Sequence, residues 1–332
     1  MNYWEVSLMD CQIKITDNKA VWKIQAALAL IFLLNPFLGV LSTLFFVFVS
    51  KEKSMAFYLV IILTLFMWCL QSTRSFHLGE PSDWAGNYYY NFHNAAITDT
   101  LTYLFFTTKE YAWQAFNLIG YYLFDGDFLS YANFIVALTY MFTFAAIYKF
   151  WNYIQADPRF LVASLCLFAF VTEVNGICNN LLRQQFAMSM MLYAIIERCT
   201  NGRILYPLLV ISFFTHTMTG FFIPFLFIRL GKKASFRFYI YIVLGFGLLY
   251  ILFTNLSIFS SSSFYAFQRL ATASNAYALK DIIQPSAVYP FLAVTVILYV
   301  KAFFFDSERR KCELYINNLF LILISMCLLM TS

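Results

Sequence analysis

The sequence predicts an all-α polytopic membrane protein, and two observations carry that prediction. Hydrophobic residues make up 61% of the chain and charged residues only 12%, where a soluble domain carries about 25% charged residues. So few charges cannot clothe an aqueous surface. Several apolar stretches also approach the roughly 20 residues that an α-helix needs to cross a bilayer, with short basic or aromatic-polar segments between them. Roughly 9–11 transmembrane or re-entrant helices follow from this pattern, in one integral membrane domain over 1–332.

In chain order, the N-terminus opens Met1-Asn2-Tyr3-Trp4-Glu5 and carries acids before its first apolar run, so no cleavable signal peptide is expected. Apolar segments follow at 22–49, 55–71, 130–150, 160–175, 177–197, 204–230, 237–253, 286–305 and 314–331. The first is about 42 Å long as one helix and has Asn35-Pro36 at its middle, which leaves the side of the N-terminus open. Segment 113–124 is too short to span and is expected to lie in the interface. Two long polar segments, 72–112 and 254–285, read as loops.

Thirteen of the 22 basic residues gather in five short loops: Lys51 and Lys53; Lys149 and Arg159; Arg198 and Arg203; Arg229, Lys232, Lys233 and Arg237; Arg309, Arg310 and Lys311. An excess of Lys and Arg marks the cytoplasmic side, so 72–112 and 254–285 are expected outside. A single crossing at 204–230 breaks this assignment. Two half-helices meeting near Thr215-His216-Thr217 restore it, and unwound backbone is tolerated at depth where protein or a polar cavity surrounds it. The net charge of +5 lies at segment ends and forms no stripe, which argues against nucleic acid as a partner. The seven Cys are scattered without metal spacing or an obvious disulfide pair.

Ionisable residues inside membrane segments call for a functional reason, because an Arg at a helix centre costs about 2.5–3.5 kcal/mol on insertion scales. Arg183, within Asn179-Asn180-Leu181-Leu182-Arg183-Gln184-Gln185, is placed about 9 Å below the outer end of its segment, and His216 near the same depth. Together with Glu173 and Asn175 they form a polar constellation. The outer segment adds Arg74, His77, Glu80, Asp83, Trp84, Tyr88, Tyr89, Tyr90, His93, Asp99 and Glu110, a mix of rings and carboxylates that suits sugars. Taken alone, the Tyr88–Tyr90 run better fits an aromatic belt at the membrane surface. Asp125-Gly126-Asp127 reads as a turn. No phosphate loop, dinucleotide fingerprint or zinc motif occurs, so no cofactor is expected.

The order of these features resembles the EpsG/Wzy-type polymerases of bacterial surface polysaccharides. The likeness runs from about residue 35 to 230. It is carried by Thr73-Arg74 with Asp83, the Tyr88–Phe92 run, Lys109-Glu110-Tyr111, Leu182-Arg183-Gln184-Gln185-Phe186-Ala187, and Phe214-Thr215-His216-Thr217 followed by Pro224. Tyr111 departs from the pattern, in which a Pro commonly follows the Glu.

The resemblance implies a GT-C-like lipid-linked glycosyltransferase architecture in a multi-pass protein of the bacterial cytoplasmic (inner) membrane. It also implies polymerisation of polyprenyl-diphosphate-linked oligosaccharide, such as an undecaprenyl diphosphate repeat unit of O-antigen, capsule or exopolysaccharide. Arg183, Gln184, Arg74, Arg269, Tyr88 and Tyr89 are then expected to bind diphosphate or sugar, and His216, Asp83 or Glu110 to take the acceptor's proton. The energy sits in the lipid-diphosphate linkage, so neither ATP nor a nucleotide sugar is required. Membrane lipids, a flippase and a chain-length regulator are the other expected partners. The rival readings are a lipid-linked oligosaccharide flippase, a membrane acyltransferase and an O-antigen ligase.

Overall fold

The computed structural model describes residues 18–50, 52–74, 84–105, 110–170, 181–223 and 226. Nearly all of them belong to one compact unit, Met1–Pro224. The expected spans at 237–253, 286–305 and 314–331, the loop 254–285 and Arg269 lie outside the described residues. So do Asp83, His77, Glu80, Glu173 and Asn175. Every regular element among the described residues is helical.

The first apolar segment is two helices, α1 (Asn18–Leu34) and α2 (Pro36–Ser50). Pro36 supplies no N–H, which the first position of a helix does not need. The Asn35 side chain accepts from Leu38 N at 3.1 Å, as a helix-starting residue should. The turn is so tight that a Cβ on Gly39 would lie 2.4 Å from Phe32 Cα, which only glycine avoids. Helix α3 (Lys53–Ser72) packs against both, with the Tyr58 hydroxyl donating to the Gln25 carbonyl at 2.9 Å.

Segment 84–105 is not the open loop that its polar composition suggested. It forms a π turn over Trp84–Tyr88, then α4 (Tyr89–Ile97) and α5 (Thr100–Phe105). Trp84, Tyr88 and Phe92 are all buried. Their spacing of four is a helical stripe, masked in the sequence by intervening Asn and Gly.

Next come α6 (Tyr111–Leu123), α7 (Phe128–Ile154), α8 (Pro158–Phe170), α9 (Leu182–Asn201) and α10 (Tyr206–Thr215). Helix α7 is central, packing on α3, α8 and α9. Helices α3, over Ser54–Ser72, and α7 are long and apolar enough to cross a membrane. Large apolar side chains also face outward: Leu34, Phe45, Phe160 and Leu167 are all largely exposed.

Helix α6 shows the same inversion within 13 residues. It buries Gln114 and Asn117 and exposes Ile119 and Leu123. That is the reverse of a helix in water and the arrangement that lipid favours. Gly120 lets α6 approach α7, since a Cβ there would fall 2.3 Å from the Tyr131 ring.

Helix α10 ends where the sequence placed a break. His216 is extended (φ −153°, ψ 115°), and a 3₁₀ turn, Thr217–Phe222, follows. One expectation needs correcting. Arg183 does not lie six residues inside a helix, because α9 starts at Leu182 and Arg183 occupies its first turn.

Candidate functional site

Three helix ends converge. Glu110 immediately precedes α6, Arg183 opens α9, and His216 follows α10. Helices α9 and α10 are joined by Gly202–Leu205 after Gly202 ends α9 in the left-handed conformation (φ 69°). They then pack together, with Ser212 Oγ donating to the Ala187 carbonyl at 2.8 Å. That bond lies one turn from Arg183 on one helix and one turn from His216 on the other, so it holds the two at one level. Helix α6 is brought in by aromatic contacts: Tyr111 meets Phe214 at 5.6 Å and Phe116 meets Phe186 at 5.2 Å. Tyr111, the departure from the expected Pro, therefore packs two residues from His216.

The Glu110 carboxylate bridges the other two. Its Oε2 pairs with Arg183 Nη1, and its Oε1 lies 3.0 Å from His216 Nδ1. The side chains of Glu110 and His216 are each 14% exposed and that of Arg183 24%. A carboxylate can only accept, so the hydrogen at this contact sits on Nδ1. In its neutral form the ring presents Nε2 as a base, and that nitrogen makes no hydrogen bond among the described residues. Arg183 Nε is buried and lacks a hydrogen-bond partner among the described residues. Leu181, which precedes α9, supplies no side-chain cap, so the backbone N–H groups and partial positive charge of the first turn add to the guanidinium. The cluster joins a base held by a carboxylate to a cation with donors to spare.

Beneath Glu110 runs a buried polar chain that sequence reasoning missed. Gln114 Nε2 donates to Asn91 Oδ1 at 3.2 Å, and Asn117 Nδ2 to Gln114 Oε1 at 3.4 Å. The Tyr131 hydroxyl donates to Asn117 Oδ1 at 2.8 Å, and that of Tyr103 to the Asn91 carbonyl at 2.7 Å. Burial pushes the Tyr103 hydroxyl up to about 12. This chain fixes the rotation of α6 and with it the aim of Glu110. The available signal was Gln114, Asn117 and Gly120, one stripe on an otherwise apolar helix.

The other expected residues among those described take no part in the ion pairs of Glu110 with Arg183 and His216. Arg74 lies over the Trp84 ring, 4.3 Å from its centroid. Tyr88 was expected to offer its ring to a sugar, but it is 5% exposed and packs edge-on against Trp113. Tyr89 is half-buried and contacts His93 and Phe128. Gln184 is half-buried in the first turn of α9 beside Arg183. Asp125 (φ 51°) and Gly126 (φ 77°) form a turn, and Asp127 caps α7.

Compared with known proteins, the chain matches the family model of the EpsG family over residues 57–332. No curated protein and no solved structure matches it.

Proposed function

The chain belongs to the EpsG family, and from that premise we propose that it polymerises polyprenyl-diphosphate-linked oligosaccharide repeat units at the outer face of the bacterial cytoplasmic membrane. Family membership supports a part in polysaccharide biosynthesis. The observation that carries the finer reading is the Glu110 carboxylate, with Arg183 on one oxygen and His216 on the other.

Glycosyl transfer from a lipid diphosphate needs two things of a protein. The acceptor hydroxyl must lose its proton as its oxygen bonds to the anomeric carbon. The bond from that carbon to diphosphate must break with its electron pair leaving on the phosphate. In this reading His216 Nε2 takes the proton, and Glu110 stabilises the imidazolium through Nδ1–H. The remaining donors of Arg183 and the N-terminus of α9 receive the charge on the departing diphosphate, where a water-poor site makes such bonds stronger. Arg183 thus has a second task beyond the expected one: it also fixes the carboxylate that orients the base.

The test is the length distribution of surface polysaccharide on a gel, in a deletion strain complemented with wild type, Glu110→Gln, Arg183→Ala or His216→Ala. Loss of one of these groups is expected to collapse the ladder to single repeat units, a loss of about 10²–10⁴ in rate. Single units accumulating on the inner leaflet would indicate the flippase instead. An unchanged ladder in the uncomplemented deletion strain would remove the polymerase reading, and an unchanged ladder in all three variants would remove the role given to the Glu110 cluster.

A further inference from the structure

The first half of α4 and the end of α6 bring together rings that the Glu110 cluster does not use. Tyr89 packs at a tilt against His93 with centroids 4.1 Å apart, and His93 meets Tyr121 edge-on at 6.1 Å. Tyr90 extends the row from Tyr89 at 5.6 Å, and Tyr122 from Tyr121 at 5.7 Å. Behind this row lie Phe92 and Phe128, both buried and in contact with it. The two layers are sorted by chemistry. Every ring of the outer row carries a hydroxyl or an imidazole, while Phe92 and Phe128 carry neither.

His93 adds a directional acceptor. Its Nδ1 lies 2.9 Å from the Tyr89 carbonyl, which can only accept, so Nδ1 carries the hydrogen and Nε2 has a lone pair. That lone pair has no partner among the described residues. Tyr90 and Tyr122, at the two ends, are 57% and 70% exposed. Asp125 stands exposed just beyond, in the turn that follows α6.

We infer that Tyr89, His93 and Tyr121 form a carbohydrate subsite that holds the glycan at a distance from the reacting end. The inference rests on the polymerase reading. Ring faces cover the apolar C–H faces of sugars, and the hydroxyls and Nε2 meet sugar hydroxyls at the edges. Tyr121 lies eleven residues along α6 from Glu110, about 16 Å, a reach of several sugar rings. Such a subsite holds the repeat unit in register without taking part in bond making. Belt residues at a membrane surface need no contact with one another, whereas these rings form a continuous row over a second aromatic layer.

The test uses full-length protein in lipid nanodiscs and oligosaccharide released by mild acid from the source strain's own surface polysaccharide, with affinity read by NMR titration. Wild type and Tyr121→Trp, which keeps a stacking face, are expected to bind alike. Tyr121→Leu and His93→Ala are expected to bind about ten-fold more weakly. Leucine serves as well as tyrosine against lipid, so wild-type affinity in Tyr121→Leu and His93→Ala overturns the proposal. Should Tyr121→Leu fail to assemble, His93→Phe decides, because it keeps a ring in the same packing and deletes only the acceptor; undiminished binding there overturns the proposal too. The deletion strain without complementation separates the two readings. If its polysaccharide ladder is unchanged while the Tyr121 and His93 variants still lose affinity, the polymerase reading falls and the carbohydrate subsite stands.

Discussion

Glu197, near the C-terminal end of α9, and Glu110, beside the N-terminal end of the same helix, are both largely buried carboxylates that hold one cation and one further group. Glu197 pairs with Lys149 of α7 and accepts from Asn201 Nδ2 at 2.8 Å, one turn along its own helix. Glu110 pairs with Arg183 and His216, and among the described residues its partners have bonding capacity left over: Arg183 Nε and His216 Nε2. The two sites are about 21 Å apart along α9. The first is built within α7 and the C-terminal turns of α9, so neither of these helices points its N-terminus at the carboxylate. The second is built where three helices stop, and helix ends expose backbone groups and positive charge that a helix middle does not. A buried ion pair is therefore weak evidence of function by itself. Unspent donors and acceptors at helix ends are what mark the Glu110 cluster.

The comparison breaks most sharply on paired substitution. Glu197→Gln strands Lys149 and is expected to cost about 3 kcal/mol, at the low end of the range for opening a buried pair because Lys149 is partly exposed. Lys149→Met with Glu197→Leu should recover that stability, since hydrophobic replacement of a buried pair is often neutral. Arg183→Met with Glu110→Leu should likewise give assembled protein, yet no polysaccharide ladder. Thermal unfolding in detergent and the gel ladder read the two outcomes. A double variant at Glu110 that still polymerises would make its cluster as structural as that of Glu197.

The same contrast explains what the sequence revealed and what it hid. The unwinding at His216 was legible, because a polar Thr-His-Thr run is a local signal, whereas Asn35-Pro36 stood out without deciding whether segment 22–49 is one helix or two. The meeting of Glu110 with His216 was not, since 106 residues separate them and no local period encodes it. Arg183 was placed too deep because the apolar run starting at 177 hid the true start of α9 at Leu182. Tyr88 was read as a surface ring because its neighbours are polar, although Trp84, Tyr88 and Phe92 share a buried stripe. In lipid the polar side of a helix turns inward, so composition alone misassigns which face is buried.

Two substitutions sharpen the account of how Glu110 is aimed. Gly120→Ala places a methyl group against the Tyr131 ring and should cost about 1–3 kcal/mol through overpacking between α6 and α7. Tyr131→Phe keeps that shape and removes only the donor to Asn117 Oδ1, which should cost about 1–2 kcal/mol. If the buried chain sets the aim of Glu110, Tyr131→Phe also slows polymerisation at saturating substrate while leaving oligosaccharide affinity unchanged. A stability loss with full turnover would reduce the chain to packing.

The smallest effect is expected at Asp127. Its carboxylate accepts from Leu129 N at 3.0 Å and from Ser130 Oγ at 2.5 Å, and these bonds, the one from Ser130 foremost, hold its pKa below the ordinary carboxylate range. The folded state therefore binds this proton less readily than the unfolded one. The stabilisation is complete above the unfolded pKa and fades as pH falls through the folded value. Asp127→Ala should cost about 1 kcal/mol at neutral pH, and the gap to wild type should close on acidification. Asp127→Ser, which caps a helix without a titrating group, should keep most of the stability and leave its margin over Asp127→Ala independent of pH. Full loss of polymerisation in Asp127→Ser, with stability intact, would instead give the Asp125-Gly126-Asp127 turn a chemical task of its own.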